Sequence, residues 1–393
     1  MKKFTYAVLG AGLQGSASAY DMARFGDAKE VRLGDVSLTV AKAAAAKVNR
    51  LVGRRVARAF RVDVANDRAV KNFLTGVDSF LSAVPYYYNV RVAKAAIAAK
   101  ANMCDLGGNT DVVFQQLKLN GAAKKAGITI IPDCGLCPGM GNTLAVYGME
   151  HFDRPRTVRV RVGGLPQEPH PPLNYFIFFN IAGLTNEYFG KAYVLRKGKV
   201  AKIDTFSELE MLEFPSPVGL CEAFVTTGGT STCPWTFQGK LDEYEEKTVR
   251  YPGHYGKFKT MLDLGLLDEK PVHVGKTKVI PREVFHAVVG PQLTVDEPRD
   301  VVVLRVTVDG VKAGREGRLI LEIMDFFDEK TRFTAMQRTT GYPAAIVAEM
   351  MARGEVAKGA LRLETAIDAR TFVKTLPLRD IKLQERFEYN LSA

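Results

Sequence analysis

Five histidines occur in the 393 residues, His151, His170, His254, His273 and His286, and one of them sits in a segment suited to chemistry. An unperturbed imidazole titrates near neutral pH, so His254 in Arg250-Tyr251-Pro252-Gly253-His254 is the first candidate for moving a proton. Gly253 would let the backbone approach a ligand, and Arg250 could hold a carboxylate through two parallel hydrogen bonds. The same residues also fit a plainer arrangement, in which His254 caps a helix through Lys257 to Leu264 and Arg250 makes a surface pair. Thr226 to Thr232 is dense in hydroxyls and backbone N–H groups, so Thr227, Gly228 and Thr230 could receive a carboxylate or form an exposed turn. Tyr86 and Asp105, at the ends of expected strands, complete the proton-handling candidates, although Asp105 could instead order the Gly107-Gly108 turn. Cys134 and Cys137 have redox or zinc spacing, but no second pair or nearby His completes a site, and no metal is expected.

A second constellation binds anions. Phe4 to Leu9 reads as a buried strand that delivers the chain into Gly10-Ala11-Gly12-Leu13-Gln14-Gly15, and small residues then open a helix. In such a turn Gly10 bends the chain, Gly12 admits a pyrophosphate to the backbone, and Gly15 lets helix and strand pack closely. The phosphates would sit on the helix N-terminus, where free N–H groups and the dipole favour negative charge. Val31 to Gly34 reads as a second strand ending at Asp35, whose carboxylate would accept from ribose hydroxyls and repel a 2′-phosphate. The expected cofactor is therefore NAD.

The elements that must position these groups alternate as a doubly wound sheet requires. Helix Leu38 to Leu51, strand Ala59 to Val64, helix Asp67 to Leu74, strand Ser79 to Val84 and helix Asn89 to Ala99 are expected. Strand Asn102 to Leu106, helix Asp111 to Ala126 and strand Ile128 to Pro132 follow. Ligands bind at the carboxyl ends of such strands, which adds Asp63, Val64, Ala83, Val84, Pro85, Gly107, Asn109, Cys134 and Gly135 to the cofactor candidates. Asp63 could meet the adenine amino group or cap its own turn, and Cys134 could pack on the nicotinamide or be a small buried apolar residue. After Gly139 the texture changes to strand-like runs at Thr157 to Val162, Val301 to Val308, Leu319 to Phe327 and Thr331 to Met336. Arg338 to Gly354 reads as a turn followed by a helix from Ala344. The fold class is α/β, a Rossmann-type doubly wound parallel sheet plus an α+β substrate and dimerisation domain.

Five segments in this order resemble the saccharopine dehydrogenase and lysine 6-dehydrogenase family. They are Val84-Pro85-Tyr86, Cys104 to Asn109, Asp133 to Met140, Arg250 to His254, and Arg338-Thr339-Thr340-Gly341-Tyr342-Pro343. The length and the Asp105 to Asn109 segment are most similar to the lysine 6-dehydrogenase branch. The resemblance implies an NAD(P)-dependent oxidoreductase acting at a carbon–nitrogen bond of an amino acid or polyamine. It also implies that residues 338–393 return to a nucleotide domain of residues 1–134, and that subunits pair, as a homodimer or larger, through a domain of residues 135–337. Oxidation of the ε-amine of L-lysine is the expectation, beside saccharopine or carboxynorspermidine dehydrogenation and a non-catalytic dinucleotide sensor.

Composition narrows the partners. With 54 Lys and Arg against 43 Asp and Glu the chain carries +11, and about +10 of that lies before Cys134. The dense group Arg50, Arg54, Arg55, Arg58 and Arg61 has only Phe60 among it, so it reads as a solvated face rather than a nucleic-acid surface. Five cysteines are too few for a disulfide framework, and a reducing cytoplasm is expected. Lys2-Lys3 followed by an apolar stretch imitates a secretory signal but fits the strand and glycine turn better, and no membrane span is expected.

Overall fold

The computed structural model describes residues 2–178 and 180–389. The chain divides into two units. The first holds residues up to His151, Ser231–Thr236 and Gln337–Leu383; the second holds Phe152–Thr230, Phe237–Met336 and the chain from Gln384.

The first unit is built on strands β1 (Phe4–Leu9), β2 (Ala28–Asp35), β3 (Ala57–Arg61), β4 (Ser79–Ser82), β5 (Asn102–Asp105) and β6 (Thr129–Ile131). All pair in parallel in the order β6-β5-β4-β1-β2-β3, and Gly359–Ala360 extends the sheet beside β6. That order reverses between β1 and β4, and the crevice at such a reversal is where doubly wound sheets bind ligands. Ala7, Leu9, Phe80 and Met103 from the strands pack with Val92, Ala96 and Ala123 from helices to form its core.

One expectation fails at Arg338 to Pro343, where the glycine and proline read as a turn. The helix runs from Ala335 to Arg353 with Pro343 inside it. Tertiary packing overrides the local signal. A Cβ on Gly341 would lie 3.0 Å from Gln14 O and 3.1 Å from Ala17 Cβ, so the glycine lets this helix press onto helix Leu13–Phe25. Ser18 donates to Gly341 O at 2.9 Å, and the Cys104 thiol donates to Ala344 O. Thr331 to Met336 is likewise not a strand, because Ala335 and Met336 already begin that helix. Their N–H groups donate to Asp300 at 2.6 and 2.8 Å, which satisfies two donors that a helix start leaves open.

The second unit holds a nine-stranded sheet. Its strands begin with β7 (Arg154–Pro166), β8 (Lys191–Arg196), β9 (Lys199–Asp204), β10 (Glu210–Phe214), β11 (Gly219–Phe224) and β12 (Glu243–Arg250). After the separate hairpin of β13 (Val272–Val274) and β14 (Thr277–Val279) come β15 (Asp300–Lys312) and β16 (Arg315–Phe326), and Leu383–Tyr389 forms an edge strand beside β16. The last segment therefore adds a strand to the sheet of the second unit, while Ser231–Thr236 and helix Met140–Met149 fall in the first. Strand periodicity sorts β12 by face. Glu245 and Lys247 point to an ionic ladder with Arg161, Arg196, Glu208 and Glu210, whereas Glu246, Thr248 and Arg250 point to the other side. Among the described residues no helix is long and apolar enough to cross a membrane.

In the first unit Arg379 is 3% exposed and bridges Asp21 at 2.7 Å and Glu349 at 2.9 Å. Burial raises both carboxyls, Glu349 to about 8, and the guanidinium opposes that. Arg379→Met is expected to cost about 3–5 kcal/mol of unfolding free energy near pH 9, where the stranded carboxylates ionise, and less near pH 6. Urea unfolding at the two pH values checks this.

Candidate functional site

The glycine loop leaves β1 where the strand order reverses. Gly10 has φ +92°, and a Cβ there would lie 2.6 Å from Ala83 O, so the loop and the end of β4 touch backbone to backbone. A Cβ on Gly15 would lie 1.8 Å from Gly10 O, which makes glycine obligatory where helix Leu13–Phe25 crosses the turn. Gly12 differs: nothing lies within 4 Å of its Cβ position, and no side chain caps the helix there. An open backbone face at an uncapped helix N-terminus is what a pyrophosphate needs. Leu13 is half exposed beside it, and Gln14 Oε1 is buried with no hydrogen-bond partner among the described residues. Asp35 ends β2 and accepts from Ala11 N at 2.9 Å and Ser37 N at 2.8 Å, so its carboxylate is fixed against the loop.

The other strand ends sort into two kinds. Ala83, Val84 and Tyr86 are partly buried and Pro85 is exposed. Tyr86 packs 3.3 Å from the Cβ position of Gly108, which together with Gly107 has positive φ. Asp63 is exposed and accepts from Ala65 N at 2.8 Å, so it caps its own turn beside the half-buried Val64. Asn109 spends its side-chain oxygen on Asp111 N and Val112 N, capping helix Thr110–Leu117. Gly135 is buried against Pro138 O and Thr340. Cys134 turns its thiol to Ile131 O at 3.3 Å, and burial raises the thiol well above its usual range, as for a small buried apolar residue.

Asp105 also has another task. It is fully buried, accepts from Gly107 N at 2.8 Å, Asp133 N at 3.2 Å and Gln116 Nε2 at 2.6 Å, and thereby orders the turn rather than moving protons. The group that sequence reasoning passed over is its neighbour Asp133, which follows β6. Asp133 holds φ +63°, accepts from Ser231 Oγ, and keeps Oδ1 buried with no partner among the described residues. Burial and the nearby Asp105 push its carboxyl up to about 8. A Cβ on Gly107 would lie 1.9 Å from that oxygen, so the glycine makes room for it. Two aspartates at adjacent strand ends were the available signal, since like charges side by side cannot both stay ionised.

In the second unit His254 begins helix His254–Asp263 and is fully buried. Its Nδ1 lies 2.9 Å from Leu173 O and its Nε2 3.0 Å from Tyr188 Oη, and burial beside Arg250 pulls its pKa down to about 3. A histidine that stays neutral with both nitrogens occupied is a positioning group, which corrects its reading as the proton carrier. It holds Tyr188, whose hydroxyl accepts from Arg250 Nε at 2.8 Å. Arg250 is 4% exposed, donates from Nη1 to Val249 O, and lies 4.8 Å from the Tyr175 ring. Thr227 Oγ1 donates to Asn186 O at 3.1 Å and Thr230 Oγ1 to Tyr193 O at 2.8 Å, so these hydroxyls staple the loop instead of facing a ligand. Gly228 turns between them at φ +93° with open space at its Cβ position. Among the described residues no cluster of His, Cys, Asp and Glu could hold a metal.

The parallel sheet with strand order 3-2-1-4-5-6 and the glycine loop at its reversal define a nicotinamide-dinucleotide-binding protein of the Rossmann type. The chain belongs to the saccharopine dehydrogenase family: residues 6–131 match the model described as saccharopine dehydrogenase NADP binding domain, and residues 135–379 the saccharopine dehydrogenase C-terminal domain. It is 25% identical over 280 residues to the NADP(+)-dependent, L-glutamate-forming saccharopine dehydrogenase of Saccharomyces cerevisiae, covering 67% of this chain and 60% of that protein. It is 26% identical over 223 residues to the mitochondrial alpha-aminoadipic semialdehyde synthase of Rattus norvegicus, covering 51% of this chain and 22% of that protein. The chain thus spans less than two thirds of the length of these curated relatives. The fold matches the apo saccharopine dehydrogenase (L-Glu forming) from Saccharomyces cerevisiae with a TM-score of 0.77 at 19% identity, covering 98% of this chain and 100% of that one. A homospermidine synthase from Legionella pneumophila in complex with NAD follows at 0.69 and 12%, covering 98% and 93%.

Gly10→Ala forces the loop off Ala83 and is expected to weaken nicotinamide dinucleotide binding at least about tenfold with the far-UV circular dichroism unchanged, as read by NADH fluorescence titration. His254 gives a second expectation. Its folded pKa of about 3 is below the ordinary 6.5, so the unfolded chain binds the extra proton and stability falls as the pH drops through that window. His254→Phe should remove up to about 1.4 kcal/mol of that loss per pH unit, measured by urea unfolding between about pH 4 and 7.

Proposed function

We propose that this protein is an NAD-dependent amino-acid dehydrogenase that oxidises the ε-amino carbon of L-lysine, yielding the 6-semialdehyde and ammonia after hydrolysis. The observation that carries the choice of substrate is the inventory of buried cations in the second unit. Arg161 pairs with Glu210 and Glu245, Arg282 with Glu269, and Lys247 with Glu208 and Glu210. Among the described residues of that unit Arg250 is the buried cation with no carboxylate bonded to it, and its Nη2 has no partner. One such cation suits a substrate with one carboxylate. A tricarboxylic amine such as saccharopine would need further clamps of the same kind.

NAD is favoured by Asp35. A carboxylate held by Ala11 N and Ser37 N at the end of β2 would accept from the ribose hydroxyls and repel a 2′-phosphate. The loop from Gly10 to Gly15 would hold the pyrophosphate, and Ala83 to Tyr86 and Gly107 would border the nicotinamide side. A bound nicotinamide would supply the electron acceptor for the substrate carbon. Asp133, whose carboxyl burial pushes up to about 8 and whose Oδ1 has no partner among the described residues, is suited to hold or release a proton near neutral pH, with the partly buried Tyr86 also at a strand's carboxyl end. The relatives' names support the rival, an NADP-dependent saccharopine dehydrogenase.

Purified protein with NAD and L-lysine should produce NADH and ammonia in equal amounts, and saccharopine should be the poorer substrate. NADH without ammonia contradicts deamination, and turnover confined to saccharopine establishes the rival. Asp35→Ala should shift the NAD over NADP preference by roughly tenfold toward NADP, from the ratio of kcat/KM values.

A further inference from the structure

In the second unit the carboxylates of Glu246 and Glu187 accept no hydrogen bond from the described residues. Glu246 lies on the face of β12 that also carries Thr248 and Arg250, and is 3% exposed. Its side chain packs against the loop at Gly229, where a Cβ would come within 2.5 Å of Oε2, so only glycine leaves the carboxylate its place. Glu187 ends helix Ile181–Glu187 and precedes Tyr188, the residue that joins His254 to Arg250. Its carbonyl accepts from Thr227 N at 2.9 Å, which ties that helix end to the loop, but its carboxylate accepts from nothing among the described residues.

The opposite face of β12 provides the internal comparison. There Glu245 receives Arg161 and Arg196, and its carboxyl is held below the usual range. A carboxylate with its cation beside it is a finished interaction. Glu246 and Glu187 are raised instead, to about 8 and about 7, by burial first, and Glu246 next by the charge of Glu187. Arg250 acts on both through its charge, but its Nε and Nη1 are spent on Tyr188 and Val249. The charged groups facing Glu246 are thus Glu187 and Arg250, with Arg161 and Glu245 on the far side of the sheet. Two acids therefore face one guanidinium, and no cation is hydrogen-bonded to either of them among the described residues. A desolvated carboxylate without a partner is costly unless a cation completes it.

We propose that Glu246 and Glu187 form the ammonium-binding half of the substrate site, receiving a protonated alkylamine while Arg250 Nη2 receives the carboxylate of the same molecule. This rests on the reading of Arg250 as the carboxylate clamp and extends it to the class of substrate: a zwitterionic amine, held by the opposite charges of buried Arg250 and Glu246 with the half-buried Glu187. Binding of the cation converts the acids to carboxylates, so at neutral pH a proton leaves as the ligand enters.

The test is calorimetric and needs no turnover. L-lysine and cadaverine are titrated into the intact protein at about pH 7 in buffers of different ionisation enthalpy, which reads the protons exchanged. Release of about one proton per ligand is expected with whichever of the two binds, falling toward none near pH 9.5. Glu246→Gln should lower that affinity at least about tenfold and reduce the proton release. Binding with no proton release, binding unchanged in Glu246→Gln, or no saturable binding of either probe overturns the proposal. If Glu246→Gln does not fold, Glu187→Gln and the wild-type proton count still decide it. Failure of the dehydrogenase reading shows separately, as absence of NADH with L-lysine while the proton-linked binding persists.

Discussion

The first unit depends on one close approach of backbone to backbone. Leu9 O accepts from Ala83 N at 2.7 Å, and Gly10 then turns within van der Waals reach of Ala83 O. No side chain fits between them. Because β1 and β4 are neighbours at the reversal of strand order, this contact fixes where the chain from β1 turns into helix Leu13–Phe25. Gly15 then lets that helix cross the turn with its N-terminus at the crevice. Asp35, bonded to Ala11 N, ties the end of β2 into the same arrangement. The glycine turn at the crevice is thus the outcome of backbone packing, with the Asp35 side chain tied to it at the end of β2.

Charge is managed in two ways. Where the fold buries an ion for structure it also buries the counterion, as with Arg379 between Asp21 and Glu349 and with Arg161 between Glu210 and Glu245. Elsewhere carboxyls are buried with no cation bonded to them, and burial raises them toward neutral pH. Asp133 beside Asp105 in the first unit, and Glu246 with Glu187 in the second, are such groups. Each also has a glycine that makes space for it, Gly107 for Asp133 and Gly229 for Glu246. Incomplete solvation is tolerated by a fold where a ligand or a shared proton can complete it, which is why Asp133, Glu246 and Glu187 attract a functional reading.

The sequence by itself determined the alternation of strands and helices from Phe4 to Ile131, the glycine turn and the acidic end of β2. These follow from local rules: apolar runs between breakers, and glycines whose spacing matches one turn and one helix start. The residues of the Arg250 to His254 segment were legible as a cluster too, but not what each does. Tertiary structure decided that, because an imidazole's proton affinity depends on what surrounds it. His254 lies under Tyr175, Tyr188 and Phe258, with both nitrogens occupied, and so became a support for Tyr188. Asp105 is claimed by Asp133 N at the end of the next strand, and the Cys134 thiol by Ile131 O three residues earlier; neither pairing is written in the residue types alone. Thr227 and Thr230 looked available because a hydroxyl's partner cannot be read locally; theirs are carbonyls about forty residues away. The Gly341 and Pro343 signal was overruled by a helix packed against residues more than three hundred positions earlier. Local spacing can specify a backbone turn, whereas burial, pairing and the pKa of a side chain are properties of neighbours that only the folded chain brings together.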